Sequence, residues 1–444
     1  MSVITRFAPS PTGLLHIGNI RTALIGYLFA KKHGGKFMLR LDDTDGERST
    51  EAFATAIGQD LKWMGLEWDL FSKQSERMAR YDAIKQQLLA AGRLYPCYET
   101  SEEIEIKRKM QLSRGKPPIY DRAALLLTDA QRAELKAEGK PEHWRFKLDE
   151  NASISWKDMI KGDVTFKAEH LSDPVLIRTN GAPTYMLPSV IDDMDFNITH
   201  IIRGEDHVSN TAIQIQMFEA LGAPLPVFGH HSLMKTKEGK ISKRTGGFDI
   251  ACVRDEEHIE ALTIASLLAR LGTSEPVEPR TSLAELVTHF DLTRFTKTAA
   301  IYDFDELDRL NSKVLHILPY SAVKDRTEMV GVDEAFWLSV RQNLKRLPDI
   351  RLWHAICKEP LTPVIEDPSF TAQASTLLPG GNWDEDTWDQ WLTAIKASTD
   401  KKGKALFMPL RKALTACDTG PELKYMLPLI GAEKVLLRLN GHTA

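Results

Sequence analysis

Apolar and polar positions along the first part of the chain switch between two periods. "SVITRF" reads as a strand, while "IGNIRTALIGYLFAKKHGG" repeats its apolar residues at helical spacing and closes on Gly34 and Gly35, the residue type that ends a helix. "KFMLRLDD" predicts a second strand, and "STEAFATAIGQDLKWMGL" a second helix with Ser49 as its N-cap. Strands and helices in this alternation build a parallel, doubly wound sheet.

From about Tyr95 to Asp173 the pattern changes to charged helical stretches and loops, broken near its middle by "SRGKPPIY", and reads as an insertion. In "VLIRTNGAPTYML" the Asn180-Gly181 pair between apolar runs predicts a hairpin. "THIIRGED", the helical "NTAIQIQMFEALGA" and the strand-like "PVFGHHSL" then resume the α/β alternation. After Cys252 strands become scarce and leucine-rich helical patterns run through "KVLLRLNG". The expected plan is a Rossmann-type α/β catalytic domain in two halves, residues 1–94 and 174–251, split by an insertion at 95–173. A connecting region at 252–320 and an all-α domain at 321–444 follow. Within the last, Trp388 and Trp391 stand at helical spacing and are expected in its core.

Composition narrows the class. A chain of 444 residues exceeds what one hydrophobic core usually supports, and 43% hydrophobic with 27% charged residues excludes global disorder. The net charge of −4 means that any nucleic-acid partner must be met by local basic surfaces. No long apolar run and no signal-peptide core are legible, so a cytoplasmic protein that does not enter membranes is expected. Cys97, Cys252, Cys357 and Cys417 form no CxxC pair, which leaves them as expected buried thiols.

Two stretches carry candidate chemistry. "RFAPSPTGLLHIGN", Arg6 to Asn19, takes the chain from the first strand into the first helix, where unpaired backbone N–H groups attract anions. His16 can donate to a phosphate there, and Gly18 lets an adenine or ribose approach the backbone. "KEGKISKRTGG", Lys237 to Gly247, sets Lys240, Lys243 and Arg244 in a glycine-flanked loop after the last strand of the interrupted sheet. Either alone is commonly a helix cap or a solvated charge run. Together they suit displacement of pyrophosphate from ATP, where charge developing on the leaving group is met by positioned cations.

"HIGN" and "KISKR" resemble the HIGH and KMSKS signatures of class I aminoacyl-tRNA synthetases. "RFAPSPTG", "RTAL", "DDTD", "IRGEDH" and "LSDPVLIR" together resemble the bacterial glutamyl-tRNA synthetases, and "KGKALFMPLRKALT" with "GPEL" resembles that family's helical anticodon-binding region. The resemblance implies a monomeric ligase that activates glutamate with ATP and Mg²⁺ and charges tRNA(Glu), with tRNA(Gln) as a further acceptor left open. It assigns the insertion to the acceptor stem, 252–320 to stem contacts, and 321–444 to the anticodon. It places ATP against Pro9, His16, Gly18, Asn19, Lys240, Ser242, Lys243 and Arg244, with His16, Lys240 and Lys243 stabilising the transition state.

Glutamate brings two carboxylates and one ammonium, so its pocket needs an arginine that can grip a carboxylate and one anion. Arg6, Ser10, Asp42, Tyr185 and Arg203 supply that set, with Ala8 beside them, in segments that resemble the family's amino-acid pocket. The basic stretch from Lys396 to Lys412 offers Lys401, Lys402, Lys404 and Arg411 to tRNA.

Three departures stand out. Asp42 replaces a commoner glutamate and is one methylene shorter. "TYMLPS" replaces "TYNFA" and removes an asparagine beside Tyr185. Some family members hold zinc in the insertion by clustered cysteines, but Cys97 is the only cysteine in that region, so no zinc is predicted. Of the rivals, glutaminyl-tRNA synthetases carry an acidic residue where Ser10 stands, and the glutamyl-queuosine enzymes lack the helical C-terminal domain. A catalytically silent tRNA-binding paralogue would be expected to lose "HIGN" or "KISKR".

Overall fold

Parallel pairing organises the first part of the chain. In the computed structural model, which describes residues 2–236, 249–327 and 331–444, β1 (Ile4–Phe7) runs through the polar turn into α1 (Ile17–Lys32) and returns as β2 (Lys36–Leu41). β1 and β2 pair in parallel from Ile4 opposite Lys36 to Phe7 opposite Leu39. α2 (Glu51–Trp63) and β3 (Leu70–Lys73) repeat the unit, with β3 parallel to β2. β2 is buried from Phe37 to Leu41, as a strand covered on both faces must be. The cap of α2 is Thr50 rather than Ser49, because it is the Thr50 hydroxyl that accepts the Phe53 amide at 3.2 Å. Gly34 ends α1 at φ +62°, and a Cβ on Gly35 would lie 2.2 Å from the Val3 carbonyl oxygen. One glycine is needed for conformation and the next for close approach.

After α3 (Met78–Ala90) the insertion opens with β4 (Leu94–Cys97) and continues through α4 (Ser101–Ser113), α5 (Asp129–Ala137), β5 (His143–Phe146), β6 (Ser153–Asp158), β7 (Gly162–Lys167) and β8 (Val175–Ile177). Helices and loops were expected here. The structure adds an antiparallel sheet, β4-β5-β8, and a hairpin, β6-β7. β4, β5 and β8 are only three or four residues long, and β6 and β7 alternate more buried with exposed positions, so no long apolar run marks any of them. The Asn180-Gly181 turn forms, with Gly181 at φ +82°, and closes a minimal hairpin: an antiparallel bridge between Ile177 and Pro183, with the Arg178 amide donating to the Ala182 carbonyl and the Thr184 amide to the Leu176 carbonyl, both at 2.8 Å. It extends no further, and the chain coils into α6 (Met186–Asp195).

β9 (His200–Gly204), α7 (Val208–Ala220) and β10 (Val227–His231) complete the sheet, with β9 and β10 parallel. The Thr199 amide donates to the Ile4 carbonyl at 3.0 Å and the Ile4 amide to the Thr199 hydroxyl at 2.8 Å, which sets β9 beside the open edge of β1. The strand order therefore reverses between β1 and β9. In such sheets ligands bind outside the carboxyl ends of the strands at that reversal.

Contacts divide the chain into two units. The first comprises Met1–Glu257, Ile264–Glu278 and Ser282–Asp303; the second, His258–Thr263, Pro279–Thr281 and Phe304–Ala444. Among the described residues the second contains helices and turns only, from Phe304–Ile317 to Ala432–Leu439. Trp391 is in its core, its indole donating to the Ala374 carbonyl at 2.9 Å. Trp388 is only half-buried and stands 6.3 Å from the Phe407 ring, so the core expectation holds for one tryptophan of the pair. Likewise Cys97 and Cys357 are buried, whereas Cys252 and Cys417 are partly exposed. No described helix is long and apolar enough to cross a membrane.

Candidate active site

The turn between β1 and α1 is built around His16, which is the N-cap of α1. Its Nδ1 accepts the amides of Gly18 at 3.1 Å and Asn19 at 3.3 Å, and the Asn19 side chain accepts the His16 amide at 3.1 Å, a reciprocal capping box. Because Nδ1 accepts, the proton of the neutral ring sits on Nε2, and His16 presents a donor at a helix N-terminus. Gly18 has a local reason as well as the expected ligand-side one: a Cβ there would lie 2.9 Å from the His16 ring. The "H-x-G-N" spacing thus encodes the cap itself.

The turn forms one wall of a cleft of about 560 Å³ at the strand reversal. Every described residue expected to touch ATP or glutamate lines it: Arg6, Ala8, Pro9, Ser10, His16, Gly18, Asn19, Asp42, Tyr185 and Arg203. Lys240, Ser242, Lys243 and Arg244 lie outside the described residues.

The cleft's charges are distributed unevenly. Asp193 of α6 accepts from Arg6 Nε at 3.2 Å and from Arg40 Nη1 at 2.7 Å, tying β1 and β2 to the helix. Arg40 Nε also reaches Asp42 at 2.7 Å, and Asp192 is held by Arg77 at 2.8 Å and by the Tyr81 hydroxyl. Burial would raise the Asp193 carboxyl, but Arg6 and Arg40 bring it below the ordinary carboxylate value. Burial keeps Asp42 above that value although Arg40 opposes it. The Asp42 carboxylate is therefore already engaged by Arg40 where it meets the cleft.

Arg21 and Arg203 form no ion pair among the described residues. Arg21 is buried in the wall, with Nη1 and Nη2 donating to the Ser232 and Leu271 carbonyls at 2.5 and 3.0 Å. Arg203 is held by neutral acceptors: Thr211 at 2.7 Å, Gln214 at 2.6 Å and His230 Nε2 at 3.3 Å. Burial, reinforced by nearby Arg6, lowers Arg203 to about 10. A cationic fork with no carboxylate of its own, in the wall of a polar cleft, suits a carboxylate ligand.

Sequence reading missed several residues that line or brace this cleft: Arg40, Ser189, Asp193, Asp206, His207 and His231. The alternation of "RLDDTD" with "IDDMD" carried part of the signal, since two acidic clusters in apolar surroundings need cations.

Elsewhere in the first unit, Cys97 does not stand alone. Glu99 and His143 each bring a ligand atom within 4.8 Å of its thiol and of one another. Burial pushes that thiol up to about 11, and the Tyr120 hydroxyl donates to Glu99 at 2.8 Å. In the second unit, Lys401 pairs with Asp367 at 2.9 Å, and Lys402 and Lys404 are exposed. Arg411 donates to the Pro421 carbonyl at 3.0 Å and lines a cavity of about 380 Å³ with Trp388, Phe407 and Lys424.

A doubly wound sheet with a histidine-capped helix at its reversal point, and a cleft that carries fixed anions together with arginines that have no ion pair among the described residues, is the architecture of a nucleotide-binding α/β enzyme. Residues 2–309 match the family model for the class I tRNA synthetases (E and Q), catalytic domain, and residues 370–442 match an anticodon binding domain. The chain is 51% identical over 99% of both chains to "Glutamate--tRNA ligase 1" of Maricaulis maris, and 51% identical to "Glutamate--tRNA ligase" of Azospirillum brasilense over the full length of both. It superposes with a TM-score of 0.84 and 27% identity, over 99% of each chain, on a glutamate tRNA ligase from Elizabethkingia meningosepticum solved in complex with its amino acid. The chain belongs to the class I tRNA synthetases of the E and Q group.

The Asp193 bridge carries a prediction. Asp193→Ala leaves the buried Arg6 without its ion pair and Arg40 with Asp42 and Asp192 alone, and should cost about 3–5 kcal/mol of stability, the range for breaking a buried pair. Chemical denaturation measures it, and a loss below about 1 kcal/mol would contradict the bridging role.

Proposed function

We propose that this chain is a glutamate:tRNA ligase, which activates glutamate with ATP to glutamyl-adenylate and transfers the acyl group to the 3′-terminal adenosine of tRNA(Glu). The observation that supports the substrate most directly is Arg203, a buried guanidinium with neutral acceptors and no carboxylate partner among the described residues. On this reading a substrate carboxylate supplies the missing anion, Arg6, which lines the cleft while paired with Asp193, is a second contact for the substrate, and Tyr185, Ala8 and Ser10 shape the pocket. Asp42 faces the substrate ammonium while Arg40 orients it.

The chemistry needs no protein nucleophile. The substrate carboxylate attacks the α-phosphorus and pyrophosphate leaves; Mg²⁺ brought with ATP would neutralise part of the charge that develops on the leaving group. His16, with its proton on Nε2, donates to the phosphate chain at the helix N-terminus, where Pro9, Gly18 and Asn19 border the nucleotide. Lys240, Ser242, Lys243 and Arg244 are assigned from the sequence to the leaving group. The insertion takes the acceptor stem, residues 252–320 contact the stem, and the helical region takes the anticodon, with Lys401, Lys402, Lys404 and Arg411 as contact candidates. The enzyme works as a monomer in the cytoplasm.

The insertion is read as zinc-free. Cys97, Glu99 and His143 supply three donors where a structural zinc takes four. The thiol is held protonated, and Glu99 is already bound by Tyr120 and, at 3.4 Å, by Lys107.

Aminoacylation with purified tRNA(Glu) and tRNA(Gln) tests the function. Glutamate should be charged onto tRNA(Glu), and glutamate-dependent pyrophosphate exchange should be negligible until tRNA is added. Absence of glutamylation would overturn the function, and robust exchange without tRNA would overturn the coupling. Elemental analysis of the purified protein should find no stoichiometric zinc; one tightly bound zinc per chain would refute the zinc-free reading.

A further inference from the structure

Behind the cleft wall, Arg203 rests on a buried pair. His230, fully buried on β10, places Nε2 3.3 Å from Arg203 Nε and 2.9 Å from the Thr211 hydroxyl, while its Nδ1 lies 2.5 Å from Asp158 Oδ2. Asp158 ends β6 in the inserted segment, and its other oxygen, Oδ1, accepts the amides of Ile160 at 3.0 Å, Lys161 at 2.9 Å and His230 at 3.1 Å. The turn between β6 and β7 is docked further by the Met159 amide on the Phe228 carbonyl at 2.8 Å and by a Lys161–Glu205 ion pair. A Cβ on Gly229 would lie 2.9 Å from the Met159 side chain, so the turn sits directly against β10.

We propose that Asp158 and His230 are positioning residues for glutamate binding: they hold the Arg203 fork toward the cleft through one required tautomer of His230, and so make the inserted hairpin a structural part of the amino-acid site. This rests on the proposed glutamate reading of the cleft.

Donors and acceptors around Asp158 and His230 fix the tautomer. Asp158 is a carboxylate: burial alone would raise it, but the His230 hydrogen bond and the two turn amides bring it to about 2. Burial lowers His230 despite Asp158, so the ring is neutral with one proton. Asp158 Oδ2 can only accept, so that proton sits on Nδ1, and the Nε2 lone pair faces both Arg203 Nε–H at 3.3 Å and the Thr211 hydroxyl at 2.9 Å. With Nε satisfied by His230, and Nη2 by Thr211 and Gln214, one edge of the guanidinium is locked against the sheet. Its Nη1 has no hydrogen-bond partner among the described residues. The acceptors are all neutral, so the fork is oriented without being neutralised. A carboxylate in place of His230 would orient Arg203 equally well and cancel the charge that the substrate must meet.

The tautomer makes this testable in the full-length enzyme. In Asp158→Asn, Oδ1 must stay on its three amide donors, so the new NH₂ faces His230 Nδ1 and drives the ring proton to Nε2, against the Arg203 Nε–H. The KM for glutamate in tRNA-saturated aminoacylation should rise at least about tenfold, the scale of one hydrogen bond to a charged group, while the KM for ATP changes less than about twofold. Glutamine has no tautomer to shift, so in a His230→Gln background Asp158→Asn should change the glutamate KM less than about threefold. His230→Gln keeps an acceptor and His230→Leu removes it; the leucine variant should show the higher glutamate KM by about tenfold. An unchanged glutamate KM in folded Asp158→Asn, or equal effects of that substitution in both backgrounds, overturns the proposal. Should Asp158→Asn fail to fold, the Gln and Leu variants decide alone, and equal glutamate KM values overturn it. Failure of the wild-type enzyme to charge tRNA with glutamate would instead defeat the reading on which the proposal rests.

Discussion

The site depends on where buried positive charge is cancelled and where it is left. Asp193 neutralises Arg6 and Arg40 together, at 3.2 and 2.7 Å, and in doing so fastens α6 across the carboxyl ends of β1 and β2. A buried ion pair contributes little net stability once desolvation is counted, but breaking one is costly, so such a bridge specifies an arrangement more than it strengthens one. With those two arginines committed, Arg21 and Arg203 are the cleft arginines held by neutral acceptors among the described residues: Arg21 by main-chain carbonyls, with its buried Nε unpartnered, and Arg203 by side chains, with Nη1 unpartnered.

The same economy of donors shapes the nucleotide side. His16 uses Nδ1 to cap α1 and thereby fixes its own tautomer, so local helix formation and the presentation of Nε2–H are one event. Gly18 follows from the ring above it. The cap lies at the reversal of strand order, where topology opens a crevice, so the helix N-terminus and the Arg203 fork face one cavity from opposite sides of the reversal.

How much of this is legible in the sequence follows from the range of each interaction. The β1-α1-β2-α2 alternation was readable because helix and strand periods are local, and the His16 turn because a cap needs only neighbours in sequence. The strands of the insertion were not, since β6 and β7 are six residues each and alternate exposed positions with buried or half-buried ones. The pairing of Arg6 with Asp193 spans 187 residues, and that of His230 with Asp158 spans 72. No periodicity encodes such partners. Glu99 and His143 meet at Cys97 for the same reason: the β4-β5 register, Cys97 opposite His143, brings them together. The contacts of Lys401 with Asp367 and Lys412 with Glu366 likewise show basic residues of one stretch engaged by acids from another.

Arg203 receives a substrate carboxylate because neutral side chains hold it in the cleft wall and no anion pairs with it among the described residues. A chemical double-mutant cycle tests it: dissociation constants of glutamate and glutamine for the wild-type enzyme and for Arg203→Met, measured in the tRNA complex by calorimetry. If the fork holds the side-chain carboxylate, the preference for glutamate over glutamine collapses by at least about tenfold in the variant; if it holds the α-carboxylate, both ligands weaken by that factor. Unchanged affinity for both ligands would contradict the account.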